Sequence, residues 1–359
     1  MMFVSGRERF SASVKARVRK GTFLNGEFLR RLLDCSQVPD VARMLKSTYY
    51  GNYLPSDAET LHRDKFEFFL ISIINSEVQS FFPSVGLECR AFLKLWLERQ
   101  DIQLIKNRIW DIYATKDTDI AAEDHKDLSP LKYSLVDRQK LLSSNRIDEV
   151  IVSIKNERLV ACIEDTMKRS VGGTHTALMM GFALDSFQNN RVFDAAECFS
   201  GEEREKLLSL VGLYLDINNI TFIYRGKKFF NMPVELILSL LYSRYRLNFE
   251  MLRTIASLPP ERMWEQLAET QYASLLPIEG ENNEISEAAV ITRRMRSIQR
   301  ASALRVFQTG SEGIHIVLAY FILRELEILD ISAIIEVVRY NYDRKKAEKL
   351  LAYPISGWR

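Results

Sequence analysis

Helix and turn breakers are scarce in this chain: its 359 residues include only 15 glycines and 9 prolines. A turn-rich β architecture needs more of both, so the shortage favours long helices. The four cysteines, Cys35, Cys89, Cys162 and Cys198, form no C-x-x-C pair. No zinc ribbon or thioredoxin-like site is signalled, and the cysteines read as small buried apolar residues. The four histidines, His62, His125, His175 and His315, show neither H-E-x-x-H nor any paired spacing. No metal ion is therefore expected. Phosphate-loop and nucleophile-elbow motifs are missing, and Gly172-Gly173 alone reads as a helix break. No catalytic residue and no cofactor are expected.

Charge of one sign is lacking as well. The chain carries 49 basic and 47 acidic residues, a net charge of +2. Nucleic-acid binding rests on clustered Lys and Arg, so that balance gives no reason to expect such a partner. The run "RGKKFF" at 225–230 reads first as a solvated helix end, with contact to an acidic partner as the alternative, and the pairs Phe68-Phe69, Phe81-Phe82 and Phe229-Phe230 read as core. Long apolar runs are missing too. "HTALMMGFAL" and "GIHIVLAYFIL" extend about ten residues, whereas a spanning helix needs about 20. The basic N-terminus lacks the apolar stretch of a signal peptide. A cytoplasmic protein that does not cross the membrane is the expectation.

What is present is helical periodicity over a hydrophobic content of 47%. Ser56-x-x-Glu59 has the form of a capping box opening a helix over 56–82. Its apolar face would carry Phe66, Phe69, Leu70, Ile73, Ile74, Val78 and Phe81, with Pro83 ending it. Residues 87–113 repeat the pattern. The polar stretch 114–131 reads as a linker, "NMPVE" near Pro233 as a break, and 277–287 as an exposed loop.

One phrase is written three times. Asp-Ile-x-x-Ile occurs at Asp101–Ile105, Asp216–Ile220 and Asp330–Ile334, 115 and then 114 residues apart. At typical residue usage it should occur on the order of 0.1 times in a chain of this size. Basic residues follow each copy: Lys106 and Arg108, then Arg225, Lys227 and Lys228, then Arg339. "LLDCSQVPDV" at 32–41 resembles "LLSSNRIDEV" at 141–150, and "TYYG" at 48–51 resembles "TQYA" at 270–273, with offsets near 112 or its double. The spacing predicts an all-α chain of three units, approximately 9–120, 121–235 and 236–359. Isoleucines at i and i+3 share a helix face, so each pair should be buried, with Asp at the edge of that face.

Five stretches carry a resemblance to a known family. They are "FSASVKARVRKGTFL" (10–24), "LWLERQDIQLIKNRI" (95–109), "GFALDSF" (181–187), "VGLYLDINNITFIYRGK" (211–227) and "GIHIVLAYFILRELEILDISAIIEVVR" (313–339). In order and spacing the chain resembles the C subunit of archaeal and bacterial A/V-type rotary ATPases, which corresponds to the d subunit of the eukaryotic vacuolar enzyme. Two places depart from the family pattern: "GIHIVLAY" lacks a proline before it, and "RYNYDRKKAEKL" stands where Gly-Lys is usual.

The resemblance implies a helical funnel with pseudo-threefold symmetry. It implies a non-catalytic socket that joins the rotating axle subunits to the membrane proteolipid ring, linking ATP hydrolysis or synthesis to proton or sodium transport. The chain would then be peripheral to the membrane and touch it only through the ring, with no small-molecule substrate. On that footing Ile105, Ile220 and Ile334 would pack their units internally. Asp101, Asp216 and Asp330, with Arg108, Arg225 and Arg339, would tie units together or face the axle. A generic helical-repeat scaffold for another protein or nucleic acid is the alternative.

Overall fold

The computed structural model describes residues 6–55, 63–114, 134–170, 173–242, 245–275, 287–348 and 350–353. The Ser56–Glu59 cap, the stretch 115–131 and most of the loop 277–287 lie outside them, as do the side chains of Phe66 and Phe69.

The chain is all-α. Helices follow in order as α1 (Gly6–Lys20), α2 (Gly26–Leu33), α3 (Val38–Lys46), α4 (Arg63–Phe81) and α5 (Leu87–Ala114). Next come α6 (Arg138–Ser143), α7 (Ile147–Ser153), α8 (Glu157–Arg169), α9 (Gly173–Glu197) and α10 (Gly201–Lys228). The chain continues with α11 (Val234–Leu238), α12 (Phe249–Ser257), α13 (Met263–Leu267), α14 (Glu287–Thr309), α15 (Ile314–Arg339) and α16 (Arg344–Glu348). Among the described residues no strand forms, and Val136 and Ile154 make one isolated antiparallel bridge.

Local chemistry sets many of the boundaries. Pro83 cannot continue the ladder of α4, so residues 82–84 tighten into a 3-10 turn. Pro39 sits in the first turn of α3, where a missing N–H is tolerated. Asn25, Asp137, Asn156 and Asn248 each accept a backbone N–H two or three residues into the helix they open. α9 starts at Gly173, as the glycine pair suggests.

The chain divides into two compact units. One comprises 1–90, 201–210 and 267–359; the other comprises 91–200 and 211–266. In the first, α15 is the central helix, flanked by α1, α2, α3, α4, α14 and α16. Twenty of its 26 residues are buried, so it is apolar all round rather than striped. Its first turn is held by the Glu203 carboxylate, which accepts the Ile314 N–H at 2.7 Å, an anion at the positive end of the helix. In the second unit, α8 packs on α9 and α6 on α7. Ile102, Ile105 and Ile109 of α5 share a core there with Leu141, Val150, Leu159, Ile163 and Met180.

α10 is the one described helix long and apolar enough to cross a membrane, yet 72% of its apolar window is buried inside the fold. Two sequence expectations differ from the structure. Of the cysteines only Cys89 is buried; Cys35 and Cys162 are half-buried and Cys198 is exposed, all four as free thiols. Phe81 and Phe82 are buried, but Phe229 is 56% exposed because it follows the last turn of α10.

Candidate functional site

The Asp-Ile-x-x-Ile phrases fall on α5, α10 and α15, helices of 28, 28 and 26 residues. Ile105, Ile220 and Ile334 are fully buried. So are Asp101, Asp216 and Asp330, and each carboxylate accepts backbone N–H groups from a segment further along the chain. Asp101 takes Leu135 N–H at 2.8 Å, the Ser134 hydroxyl at 3.0 Å and Arg138 Nη2 at 3.1 Å. Asp216 takes Arg246 and Leu247 N–H at 3.1 and 3.3 Å. Asp330 takes Ala352 and Tyr353 N–H at 2.8 and 2.9 Å. A buried carboxylate is tolerated only when donors of this kind satisfy it.

A further carboxylate has a similar task. Glu327, one turn before Asp330, accepts the Leu24 N–H at 2.5 Å. Leu24, Leu135 and Leu247 are thus held alike, at positions 111 and 112 residues apart. Each lies one or two residues before a helix cap: Asn25, Asp137 and Asn248. The recurring Leu-Asn at 24–25 and 247–248 was a legible signal of this in the sequence.

Glycine has a specific part at one of these joints. A Cβ on Gly212 would lie 2.4 Å from the Tyr245 ring. Gly212 is one turn before Asp216, so its bare backbone admits the chain segment whose next two N–H groups Asp216 receives.

Glu327 belongs to a buried network around Arg324. The guanidinium donates to Glu327, to the Thr22 hydroxyl at 2.6 Å and to the Tyr50 hydroxyl at 3.4 Å, and lies 3.6 Å from Glu77. Tyr50 donates to Glu327 at 2.6 Å and Tyr320 to Glu77 at 2.9 Å. The ring of Phe23 covers the guanidinium at 4.0 Å. Burial raises the pKa of Glu327, with Arg324 and its hydrogen bonds opposing the shift. Burial likewise pushes Asp330 up to about 6, against its two backbone N–H bonds and the charges of Arg296 and Arg300.

The basic residues after each phrase separate into two sorts. Arg108 is tied down, donating to Ser144 O at 2.5 Å and Asn145 Oδ1 at 3.0 Å. Arg225 and Arg339 are exposed in the last turns of α10 and α15. These two arginines can therefore meet a partner; the six Asp and Ile residues are enclosed.

A polar recess of about 220 Å3 opens between α5, α9 and α10 in the second unit. Gln103, Gln188, Asn189, Asn218 and Thr221 line it, with Arg99 stacked on Trp96 and Tyr214 at 4.0 and 4.4 Å. Amides and a stacked arginine suit hydrogen bonding to a polypeptide. They include no nucleophile set against a general base. Among the described residues no cluster of His, Cys, Asp or Glu is placed to hold a metal ion.

The sequence pattern of the family described as ATP synthase (C/AC39) subunit matches residues 12–350. The chain belongs to this family. One relative is the C subunit of the A-type ATP synthase of Methanobrevibacter smithii, 23% identical over 336 residues, covering 92% of this chain and 83% of that protein. As a member of the C/AC39 family, the chain is a structural, non-catalytic subunit of an A/V-type rotary ATPase. Each carboxylate ties a long helix to a distant segment of the chain: Asp101 of α5 to Leu135, Asp216 of α10 to Arg246 and Leu247, and α15 to Ala352 and Tyr353 through Asp330 and to Leu24 through Glu327.

Proposed function

We propose that this chain is the central-stalk socket of the rotary ATPase, receiving the axle subunits and resting on the membrane proteolipid ring. It lies peripheral to the membrane and transmits torque between two partners of different diameter. The family membership and the relative's name bring the chain to the complex. The socket role rests on one observation: the recurrence of leucine N–H groups held by buried carboxylates of the long helices.

That recurrence supports three units, 9–120, 121–235 and 236–359, arranged around an axis as a funnel. α5 anchors the start of the second unit through Asp101, and α10 anchors the start of the third through Asp216. The series returns to its beginning when Glu327 of α15 holds Leu24 in the first. A cyclic series of anchors suits a wall that must enclose a shaft and resist twisting, because each joint is a buried charge-assisted bond rather than a surface contact. Arg225, Arg339 and the recess beside Arg99 offer surface for partners.

The test is co-purification. Tagged chain extracted from native membranes in mild detergent should bring down the axle subunits and the proteolipid ring, identified by mass. A partner-free monomer from well-preserved membranes would contradict the socket reading.

A further inference from the structure

α1 has two contrasting sides. Ala12, Ser13 and Ala16 are buried, and the helix packs on α15. On the other side Phe10 is 54% exposed, Val14 39% and Val18 71%. At i, i+4 and i+8 these three side chains form one ridge along the helix. A single exposed apolar side chain is ordinary, but three in register make a patch whose burial would be favourable.

Cations border this ridge. By helical spacing Lys15 and Arg19 lie along one edge and Arg17 along the other. Each is held in place by the first unit. Lys15 Nζ donates to Ser80 O at 2.5 Å and Arg19 Nη1 to Ser80 Oγ at 2.7 Å, both beside the Phe81 ring. Arg17 donates to Phe307 O at 3.3 Å and Gly310 O at 3.0 Å, beside the Phe307 ring. Ser80 ends α4 and Gly310 follows α14, so the three cations stand at the negative ends of two helices. Such an end carries about half a negative charge, so three positive charges meet about one negative. Among the described residues none of the three forms an ion pair with a carboxylate. Burial, and then the charge of Arg19, lower the pKa of Lys15, and no carboxylate counters them.

Shape and charge together narrow the occupant. A ridge of side chains four apart fits the groove of another helix. A membrane-surface helix needs a broad face of large apolar residues and cations free to reach headgroups. Here two of the three apolar residues are valines, and Lys15 and Arg17 are tethered to backbone carbonyls. Positive edges on both sides select a helix whose apolar seam is flanked by carboxylates.

We propose that the exposed face of α1 docks an amphipathic helix of a protein partner in the complex. The partner's apolar seam covers Phe10, Val14 and Val18, and its flanking glutamates or aspartates meet Lys15, Arg17 and Arg19. The proposal rests on the subunit reading above and names a surface by which one partner is held.

The test uses membranes depleted of this subunit and reloaded with purified full-length chain. Wild type and Val18→Leu are expected to rebind alike. Phe10→Glu and Val18→Glu, which put a carboxylate into the seam, are expected to rebind about tenfold or more weakly, as on loss of a buried anchor. Both positions are exposed, so the isolated variants should melt within about 2 °C of wild type. With p-benzoylphenylalanine in place of exposed Ser11, beside the ridge, illumination of the reloaded membranes should crosslink a partner segment with apolar residues at helical spacing and Glu or Asp on their flanks. Glu variants that reload like wild type would overturn the proposal. So would Glu variants that melt several degrees lower, since the ridge would then be packed within the chain. A crosslinked segment without that pattern, or no crosslink, would overturn it too. Crosslinks to lipid would make α1 a membrane-surface helix and overturn the protein occupant. Failure of the wild type itself to reload would overturn the subunit reading, and the docked helix with it.

Discussion

Ile105, Ile220 and Ile334 stand one turn after aspartates that are themselves buried, so the phrase puts a hydrophobic and a polar demand on the same stretch of helix. Truncating any of the three to Ala should destabilise the chain by about 2–4 kcal/mol through lost transfer energy and cavity formation. Denaturant unfolding of the three variants checks this; a cost near zero at any of them would show that its site can collapse freely. The aspartates differ from one another in a way pH exposes. The pKa of Asp330 is raised by burial to about 6, above its ordinary value of 3.8. Folding therefore favours its protonated form. Its contribution is fully present below about pH 3.8 and is lost as pH rises through about 6. Relative to Asp330→Asn, the wild type should gain stability as pH falls from 7 to 4. A stability difference flat over that range would mean that Asp330 does not titrate this way in the folded chain. At neutral pH, Asp330→Asn should cost about 1–3 kcal/mol, since an amide oxygen can serve one backbone N–H well and its nitrogen cannot accept the other.

At the scale of elements, long helices were legible and the joints between them were not. Period-3.6 patterns and Pro83 marked α4 and α5, because a buried face and a missing donor leave their trace within one helix. The partners of Asp101, Asp216 and Asp330 lie 22 to 37 residues downstream, in segments whose backbone N–H groups carry no residue-type signal. The repeated Leu-Asn was the one local hint. The network around Arg324 was invisible for the same reason: Thr22, Tyr50, Glu77 and Glu327 converge from four places in the sequence. The joint at Gly212 gives a sharp prediction. Gly212→Ala places a methyl carbon 2.4 Å from the Tyr245 ring and should cost about 1–3 kcal/mol, as overpacking does. Adding Tyr245→Ala should recover part of the loss relative to Tyr245→Ala alone, because the obstacle is then gone. Independent, additive losses measured by thermal unfolding would place the strain elsewhere.

For the whole molecule, the near balance of 49 basic and 47 acidic residues conceals local imbalance. Arg225 and Arg339 are exposed and form no ion pair among the described residues, and a subunit that works among partners has a use for such charges. On the proposed socket reading the chain's part is mechanical: stiff helices, buried anchors at their joints, and polar surface left over for neighbours. The consequence belongs to the complex. If the chain links the axle to the ring, removing it should separate ATP hydrolysis from ion transport rather than stop hydrolysis.

The most direct measurement is therefore ATP-driven ion uptake, recorded alongside ATP hydrolysis, in vesicles depleted of this chain and then reloaded with it. The account predicts that depletion abolishes uptake while hydrolysis continues, and that reloading restores uptake in proportion to the chain bound. Uptake that survives full depletion, or hydrolysis that stops with it and returns on reloading without uptake, would contradict the account.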